Sequence, residues 1–443
     1  MALPTQPYKG ARDFYPEDKR LQKFIFGKLR QTVEAFGYEE YDAPILEPTD
    51  LYLSKGNQEI IDEQTYTFKD RGDRSVTIRT EMTPTVSRMV AGRRQELAYP
   101  LRWYSIPNLW RYERPQRGRL REFWQLNVDI FGVDNMNAEL EVIQIMDACL
   151  KAFHAKHDMY TIRINSREFM SYVMHWYLEF DEVQAASAVR LIDRMHKMDR
   201  ADFITQIDGV CTPTQREEGV VEKLLDVLDA KRISDLPQLV REHSSLAKLQ
   251  TLLDSLTGVG ITNAVFDITL MRGFDYYTDI VFEVFDTHPE NNRSMFGGGR
   301  YDGMVAMFGV EPVPTVGFGM GDATLQNFLE LHNLLPQLKP ETDAYVVLVG
   351  DVYDKAQRVL KELRQDGGMR LSVDISGRKM DKQFKTAEKK GIHYVIIIGD
   401  DELEKQQYTL RNIQTGVEEK HGISRLVSII EDYRNPSALH DRD

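Results

Sequence analysis

Apolar and polar residues alternate most regularly at 123–132, FWQLNVDIFG. There Trp124, Leu126, Val128 and Ile130 share one side of an extended chain, and Phe123, Gln125, Asn127 and Asp129 share the other. A comparable segment at 101–113, LRWYSIPNLWRYE, precedes it. The pair predicts two antiparallel strands joined by a loop around 115–118. Upstream, residues 17–36 carry Leu21, Phe24, Ile25, Leu29, Val33 and Phe36 at helical spacing, with Gly37 as the stop. The segment 38–48, YEEYDAPILEP, reads as a strand broken by Pro44, which suits a sheet edge or a subunit contact. Residues 67–92 predict a strand, a tight corner at TEMTP, and a helix starting at Pro84. Glu81 and Thr83 sit at that corner. Two uses are open to them: they face a ligand, or Thr83 caps the helix.

Residues 135–155 predict an amphipathic helix and 159–165 a strand. From 167 to 256 helical patterning takes over, which reads as a helical insertion between two halves of a sheet domain. The sheet resumes at 263–286, with Arg272, Asp275, Tyr276 and Tyr277 in its middle. That stretch is either a strand bulged at Gly273 with packed tyrosines, or a site. An arginine buried there needs a partner. Three glycines before Arg300 permit close backbone approach to a ligand, or a flexible turn. Gly317, Gly319 and Gly321 recur at every second position before a helix, clearing one strand face for a flat ring. After a boundary at 334–342, three apolar strands alternate with helices, a late strand and a helix follow, and the whole predicts a small α/β domain with a mostly parallel sheet. The chain is thus α/β overall, with an α+β larger part.

Composition narrows the function. The 443 residues carry a net charge of −13, which argues against indiscriminate nucleic-acid binding. Against that background Arg111, Arg114, Arg117, Arg119 and Arg121 crowd the predicted hairpin. The hairpin is a solvated basic loop or the rim of a polar site. Two cysteines, Cys149 and Cys211, make neither a disulfide framework nor a cysteine-rich zinc site. His154 and His157 lack a third ligand at useful spacing and read as surface residues. The start of the chain is not a signal peptide, and no apolar run approaches about 18 residues, so a cytoplasmic protein without membrane attachment is expected. No G-x-x-x-x-G-K-[ST] loop is present, against a P-loop kinase or GTPase. Residues 1–153 contain no histidine, so no histidine base acts from that half.

The run RYERPQRGRLREFWQ at 111–125 resembles motif 2 of the class II aminoacyl-tRNA synthetases, and the histidyl family in particular. MRGFDYYTDIVFE at 271–283 and GGGRYDG at 297–303 resemble two elements specific to that family. The helix, strand and proline at 17–48 resemble motif 1, a dimer interface, and 315–330 resembles motif 3. The resemblance implies an antiparallel class II catalytic sheet in two parts, 1–166 and 257–335, an insertion at 167–256 near the tRNA acceptor end, and an anticodon-binding domain at 342–443. It implies ATP-dependent ligation of L-histidine to tRNA(His) through a histidyl-adenylate, by a homodimer using ATP and Mg2+. Carried over residue by residue, Arg111 and Arg272 are the catalytic pair at the α-phosphate. Arg119 and Arg121 meet the rest of the triphosphate, and Phe123 stacks on adenine. Glu81, Thr83 and Gln125 hold the amino group, beside Tyr276. Asp129 and Tyr277 read the imidazole nitrogens, a carboxylate accepting from one and a phenol donating to the other. Arg114, Gln116 and Arg117 meet the tRNA end. The six Lys and Arg of 378–390 form an RNA-facing patch or a solvated helix face.

One departure stands out. Thr324 occupies the place of motif 3's usual arginine, and Arg272 or Arg300 is the nearest replacement on sequence grounds. The alternative function is a non-catalytic synthetase-like regulatory subunit of ATP phosphoribosyltransferase, which lacks the last domain. Synthetases for threonine, proline or glycine share that domain but not the RGFDYY element.

Overall fold

The computed structural model describes residues 3–53, 64–271, 276–291 and 293–434. These residues divide into two compact units, 3–13 with 23–335, and 14–22 with 336–434.

The first unit is built on a sheet with, among the described residues, nine strands. In chain order its strands are β1 (Glu39–Glu40), β5 (Leu101–Ser105), β6 (Asn108–Trp110), β7 (Glu122–Phe131), β8 (Tyr160–Ser166), β9 (Ala264–Phe266), β10 (Ile280–Asp286), β11 (Ser294–Arg300) and β12 (Thr315–Gly321). A smaller three-stranded sheet holds β2 (Leu46–Pro48), β3 (Tyr66–Lys69) and β4 (Ser75–Ile78). The large sheet runs β1-β5-β7-β12-β11-β10-β8-β9, antiparallel except at its two ends. The first arm of the hairpin is two strands rather than one. Pro107, which has no N–H to give a ladder, separates β5 from β6, and both pair with β7.

Alternation along β7 sorts its faces. Leu126, Val128 and Ile130 are buried, and helices Asn137–Lys151 and Asp322–Leu331 pack against the strand. The first of these helices buries Val142, Ile145, Met146, Cys149 and Leu150 on one stripe. Each aliphatic side chain buried in this way stabilises the fold by about 1.5–3 kcal/mol. The opposite face of β7 carries Gln125, Asn127 and Asp129. Opposite them in register stand Gly321, Gly319 and Gly317 of β12, and beyond these Gly297 and Gly299 of β11. This is why the sheet has a hollow there: two neighbouring strands, β11 and β12, offer no side chain to fill it.

Helices occupy most of 167–258, from Arg167–Tyr172 to Ser244–Gly258, as the patterning predicts. Tyr276 and Tyr277 lie on the connection between β9 and β10, not within a bulged strand. The three glycines before Arg300 belong to β11, not to a turn.

In the second unit the sheet order is β14 (Leu371–Val373), β13 (Ala344–Leu348), β15 (Tyr394–Ile398), β16 (Tyr408–Asn412) and β17 (Glu418–His421). The expectation of a mostly parallel sheet needs correcting, because β13 pairs parallel with β14 and β15 while β16 and β17 are antiparallel. β17 is an unpredicted edge strand of sequence EEKH, three of its four residues exposed, recruited by backbone pairing rather than by an apolar pattern. Helix Tyr353–Gln365 buries Ala356, Val359, Leu360 and Leu363 against this sheet.

Candidate active site

Two adjoining cavities open in the hollow of the first unit. The larger, about 280 Å³, is lined by Arg111, Arg119, Phe123, Gln125, Tyr277, Glu283, the glycines of β11 and β12, and Thr324. The smaller, about 50 Å³, is lined by Glu81, Thr83, Asp129, Tyr276, Tyr301 and Gly317. Arg111, Gln125, Tyr277, Gly297 and Gly319 border both.

β7 supplies Phe123, Gln125 and Asp129 by its period of two. The glycines opposite make their room. A Cβ at Gly317 would stand 2.2 Å from Asp129 Oδ1, and one at Gly319 would stand 1.9 Å from Gln125 Nε2. Asp129 is 3% exposed, and its Oδ2 has no hydrogen-bond partner among the described residues. Gln125 Oε1 is likewise buried without one. Buried acceptors left in that state are costly, and here they border cavities that a donor from a ligand can enter. Burial pushes the Asp129 carboxyl up to about 7, against the opposing effect of the Tyr301 hydroxyl, which donates to its Oδ1.

Glu81 and Thr83 arrive from the corner after β4. Helix Thr83–Arg93 begins after Met82 with no side-chain cap, so Thr83 is not spent on capping. The Tyr276 hydroxyl instead donates to Glu81 Oε2 at 3.0 Å and lies 3.4 Å from Thr83 Oγ1. Burial pushes Glu81 up to about 7, although the nearby Arg111 guanidinium favours its ionised form. Desolvation raises the phenols of Tyr276, Tyr277 and Tyr301 as well, so all three stay protonated donors.

Arg111 stands on the border of the two cavities. Its Nε donates to the Thr80 carbonyl at 2.9 Å, and its guanidinium lies 5.5 Å from the Phe123 ring centre. Arg119 lines the larger cavity and pairs with Glu113 at 3.0 Å. The hairpin tip closes through reciprocal Gln116 and Arg119 backbone bonds of 2.9 Å, with Gly118 at φ +73°. Arg114, Gln116 and Arg117 are exposed around that tip, and Arg117 approaches Glu290 at 3.5 Å.

Three sequence expectations fare differently. Arg121 is not brought to either cavity: it is buried behind the hairpin, its guanidinium 3.8 Å from the Tyr112 ring centre. Arg300 is no substitute for the arginine missing at Thr324, because it pairs with buried Glu139 at 2.6 Å on the opposite side of β11. Arg272 and Asp275 lie outside the described residues. Tyr301, next to Arg300, is the residue sequence reasoning missed. No group of three or more His, Cys, Asp or Glu suited to a metal occurs among the described residues.

The family model described as histidyl-tRNA synthetase matches residues 10–325, and the model described as anticodon binding domain matches 343–433. The chain is 40% identical over 417 residues to the histidine–tRNA ligase of Leptospira biflexa, covering 93% of this chain and 94% of that one. It is 35% identical over 410 residues to the histidine–tRNA ligase of Haloarcula marismortui, covering 92% and 93%. In fold it is similar to the crystal structure of histidyl-tRNA synthetase from Nostoc sp. PCC 7120, with a TM-score of 0.81 at 23% identity over 98% of this chain and 100% of that one. A structure from Bacillus halodurans described as an ATP phosphoribosyltransferase regulatory subunit/histidyl-tRNA synthetase gives 0.73 at 22% identity, covering 90% and 99%.

Proposed function

The chain belongs to the histidyl-tRNA synthetase family, and from that premise we propose how its two cavities divide the work of ATP-dependent ligation of histidine to tRNA(His). Relatives named for that ligation cover nearly the whole chain, and the second unit matches an anticodon-binding domain, which favours the ligase over a regulatory subunit.

Histidine occupies the smaller cavity. Asp129 Oδ2 accepts from one imidazole N–H, and the Tyr277 phenol donates to the other nitrogen. Glu81, Thr83 and Gln125 receive the α-ammonium group, with Tyr276 holding Glu81. The carboxylate then points toward the larger cavity, where ATP lies with its adenine on Phe123. Arg111 spans carboxylate and α-phosphate, and Arg119 meets the outer phosphates. By the family resemblance Arg272 joins Arg111.

The reaction needs no nucleophilic side chain. A carboxylate oxygen of histidine attacks the α-phosphorus, the bond from that phosphorus to the bridging oxygen breaks, and pyrophosphate leaves. A ribose hydroxyl of the tRNA terminus then attacks the acyl carbon and AMP departs. Guanidinium groups suit the first step because they are always charged and hold two oxygens at once, at atoms that gain negative charge. Mg2+ fits a wall that offers the carboxylates of Glu113 and Glu283, hard oxygen donors of the kind that accompany phosphates. When bound, Mg2+ neutralises phosphate charge.

The tRNA end meets Arg114, Gln116 and Arg117, and the basic helix Met380–Lys389 faces RNA. Exposed Ile45 and Leu46, beside Pro44 and the short edge strand β2, support a homodimer contact. Action in the cytoplasm is part of the same reading and rests on the family; among the described residues no helix is long and apolar enough to cross a membrane.

One observation carries this reading: two buried acceptors without partners among the described residues, Asp129 Oδ2 and Gln125 Oε1, stand on the walls of paired cavities that share Arg111. The test is exchange of labelled pyrophosphate into ATP with Mg2+. Histidine should support it and other amino acids should not; exchange with a different amino acid alone would refute the assignment.

A further inference from the structure

We propose that Arg121 is a positioning residue for ATP rather than a phosphate ligand, and that segment 8–12 is a strap that holds it in place. The inference rests on the reading of the larger cavity as the ATP site.

Arg121 is 8% exposed and lines neither cavity, yet every group around it leads to one that does. Its backbone carbonyl accepts from the Arg111 N–H at 2.9 Å. Its Nε donates to the Glu113 carbonyl at 3.1 Å, and the Glu113 carboxylate pairs with Arg119 at 3.0 Å. Arg121 therefore meets both cavity arginines: Arg111 directly through its carbonyl, and Arg119 by way of Glu113 through its guanidinium.

The strap holds Arg121 from the other side. The Gly10 carbonyl accepts from the N–H groups of Arg121 and Glu122, at 2.9 and 3.2 Å. Arg121 Nη1 donates to the Tyr8 hydroxyl at 3.2 Å, and the guanidinium lies over the Tyr112 ring and 5.7 Å from the Tyr8 ring centre. Tyr66 packs edge-on against both the Tyr8 and Tyr112 rings, and Trp110 packs edge-on against Tyr66. Gly10 has φ +87°, and a Cβ there would stand 2.7 Å from Arg121 Cγ, so no other residue fits between strap and arginine. At the far end Arg12 pairs with Asp322 at 2.7 Å, and the other oxygen of that carboxylate accepts from the Trp124 N–H at 3.0 Å. Asp322 begins the helix whose first turn, Ala323 and Thr324, lines the larger cavity. The strap thus spans two walls of the site without entering it.

A planar guanidinium bonding in two directions while stacked on rings is not replaceable by a lysine ammonium. Displacing a catalytic group by about 1 Å can cost on the order of a hundredfold in rate.

The experiment is pyrophosphate exchange by the full chain with Arg121→Lys, Tyr8→Ala, Gly10→Val and the double variant Tyr8→Ala/Arg121→Lys, with ATP affinity measured separately by calorimetry. The expected result is a rise in KM for ATP of about tenfold or more in each single variant, with KM for histidine close to wild type, and with the thermal midpoint close to wild type in Arg121→Lys and Tyr8→Ala. The double variant should be no worse than Arg121→Lys alone. If Arg121 instead binds phosphate directly, Tyr8→Ala and Gly10→Val will leave KM for ATP unchanged while Arg121→Lys raises it, and if Tyr8 acts independently of Arg121 the double variant will show the product of the two single losses; either outcome overturns the proposal. If Gly10→Val does not fold, Tyr8→Ala carries the comparison. Wild-type protein that binds ATP without histidine-dependent exchange would sink the functional reading instead, and the strap would then be judged on ATP affinity alone.

Discussion

The Tyr301 hydroxyl donates to Asp129 Oδ1, and the second carboxylate oxygen is left in the wall of the smaller cavity without a partner among the described residues. A buried carboxylate held from behind in this way presents one oxygen in a fixed direction. The hydrogen bond also favours the ionised form that an imidazole N–H requires.

Tyr301→Phe should therefore raise the Asp129 pKa above its present value of about 7. At pH 7 the KM for histidine should rise by roughly tenfold or more, in keeping with the loss of a hydrogen bond to a charged group. At pH 8.5 part of that loss should be recovered, and KM for ATP should not move. Steady-state exchange assays at the two pH values test this; an equal loss at both would show that Tyr301 acts on shape rather than charge.

Glu81 and Asp129 both stand at about 7 in the free protein because burial penalises their charge. The sign follows from linkage. A folded-state pKa above the unfolded one means these two groups favour the fold most at low pH, and that contribution is lost as pH rises through about 7. Histidine binding has the opposite dependence, since its N–H groups require both carboxylates ionised. Affinity should increase between pH 6 and pH 8, with net proton release at pH 7. Calorimetry in buffers of different ionisation enthalpy measures that release, and Glu81→Gln should reduce it. Proton uptake would contradict the assignment of these two residues.

Arg300 and Glu139 form an ion pair in which the side chains are 6% and 0% exposed. Removing one partner leaves a buried charge alone, a loss of about 3–5 kcal/mol. Arg300→Met should lower the thermal midpoint and the denaturant midpoint by a corresponding amount. KM for ATP should be unchanged below the transition. A raised KM for ATP without loss of stability would return Arg300 to the list of phosphate-binding candidates.

Alternation made much of this site legible before any coordinates. The period of two along 123–132 placed Gln125 and Asp129 together, and the glycines at 317, 319 and 321 announced an empty face. Applied to β11, the same rule carries the information that Arg300 and Tyr301 point to opposite sides, with Tyr301 on the side of Gly297 and Gly299. Arginine's charge drew the reading toward the wrong neighbour. Arg121 was beyond the rule's reach. It precedes the first residue of β7, and its direction is set by Gly10 and Tyr8, more than a hundred positions away in a segment with no periodicity. β17 was illegible for a related reason, since an exposed edge strand is specified by the backbone of its neighbour rather than by apolar side chains.

The central claim is that a single carboxylate oxygen distinguishes imidazole from other side chains. Its most direct test is the Asp129→Asn variant assayed by pyrophosphate exchange at pH 7.5 over a wide range of histidine and ATP. KM for histidine should rise about a hundredfold or more, as expected for a site that recognises its ligand through a buried hydrogen bond, while KM for ATP stays within about twofold of wild type because Asp129 lines only the smaller cavity. An unchanged KM for histidine would contradict the account.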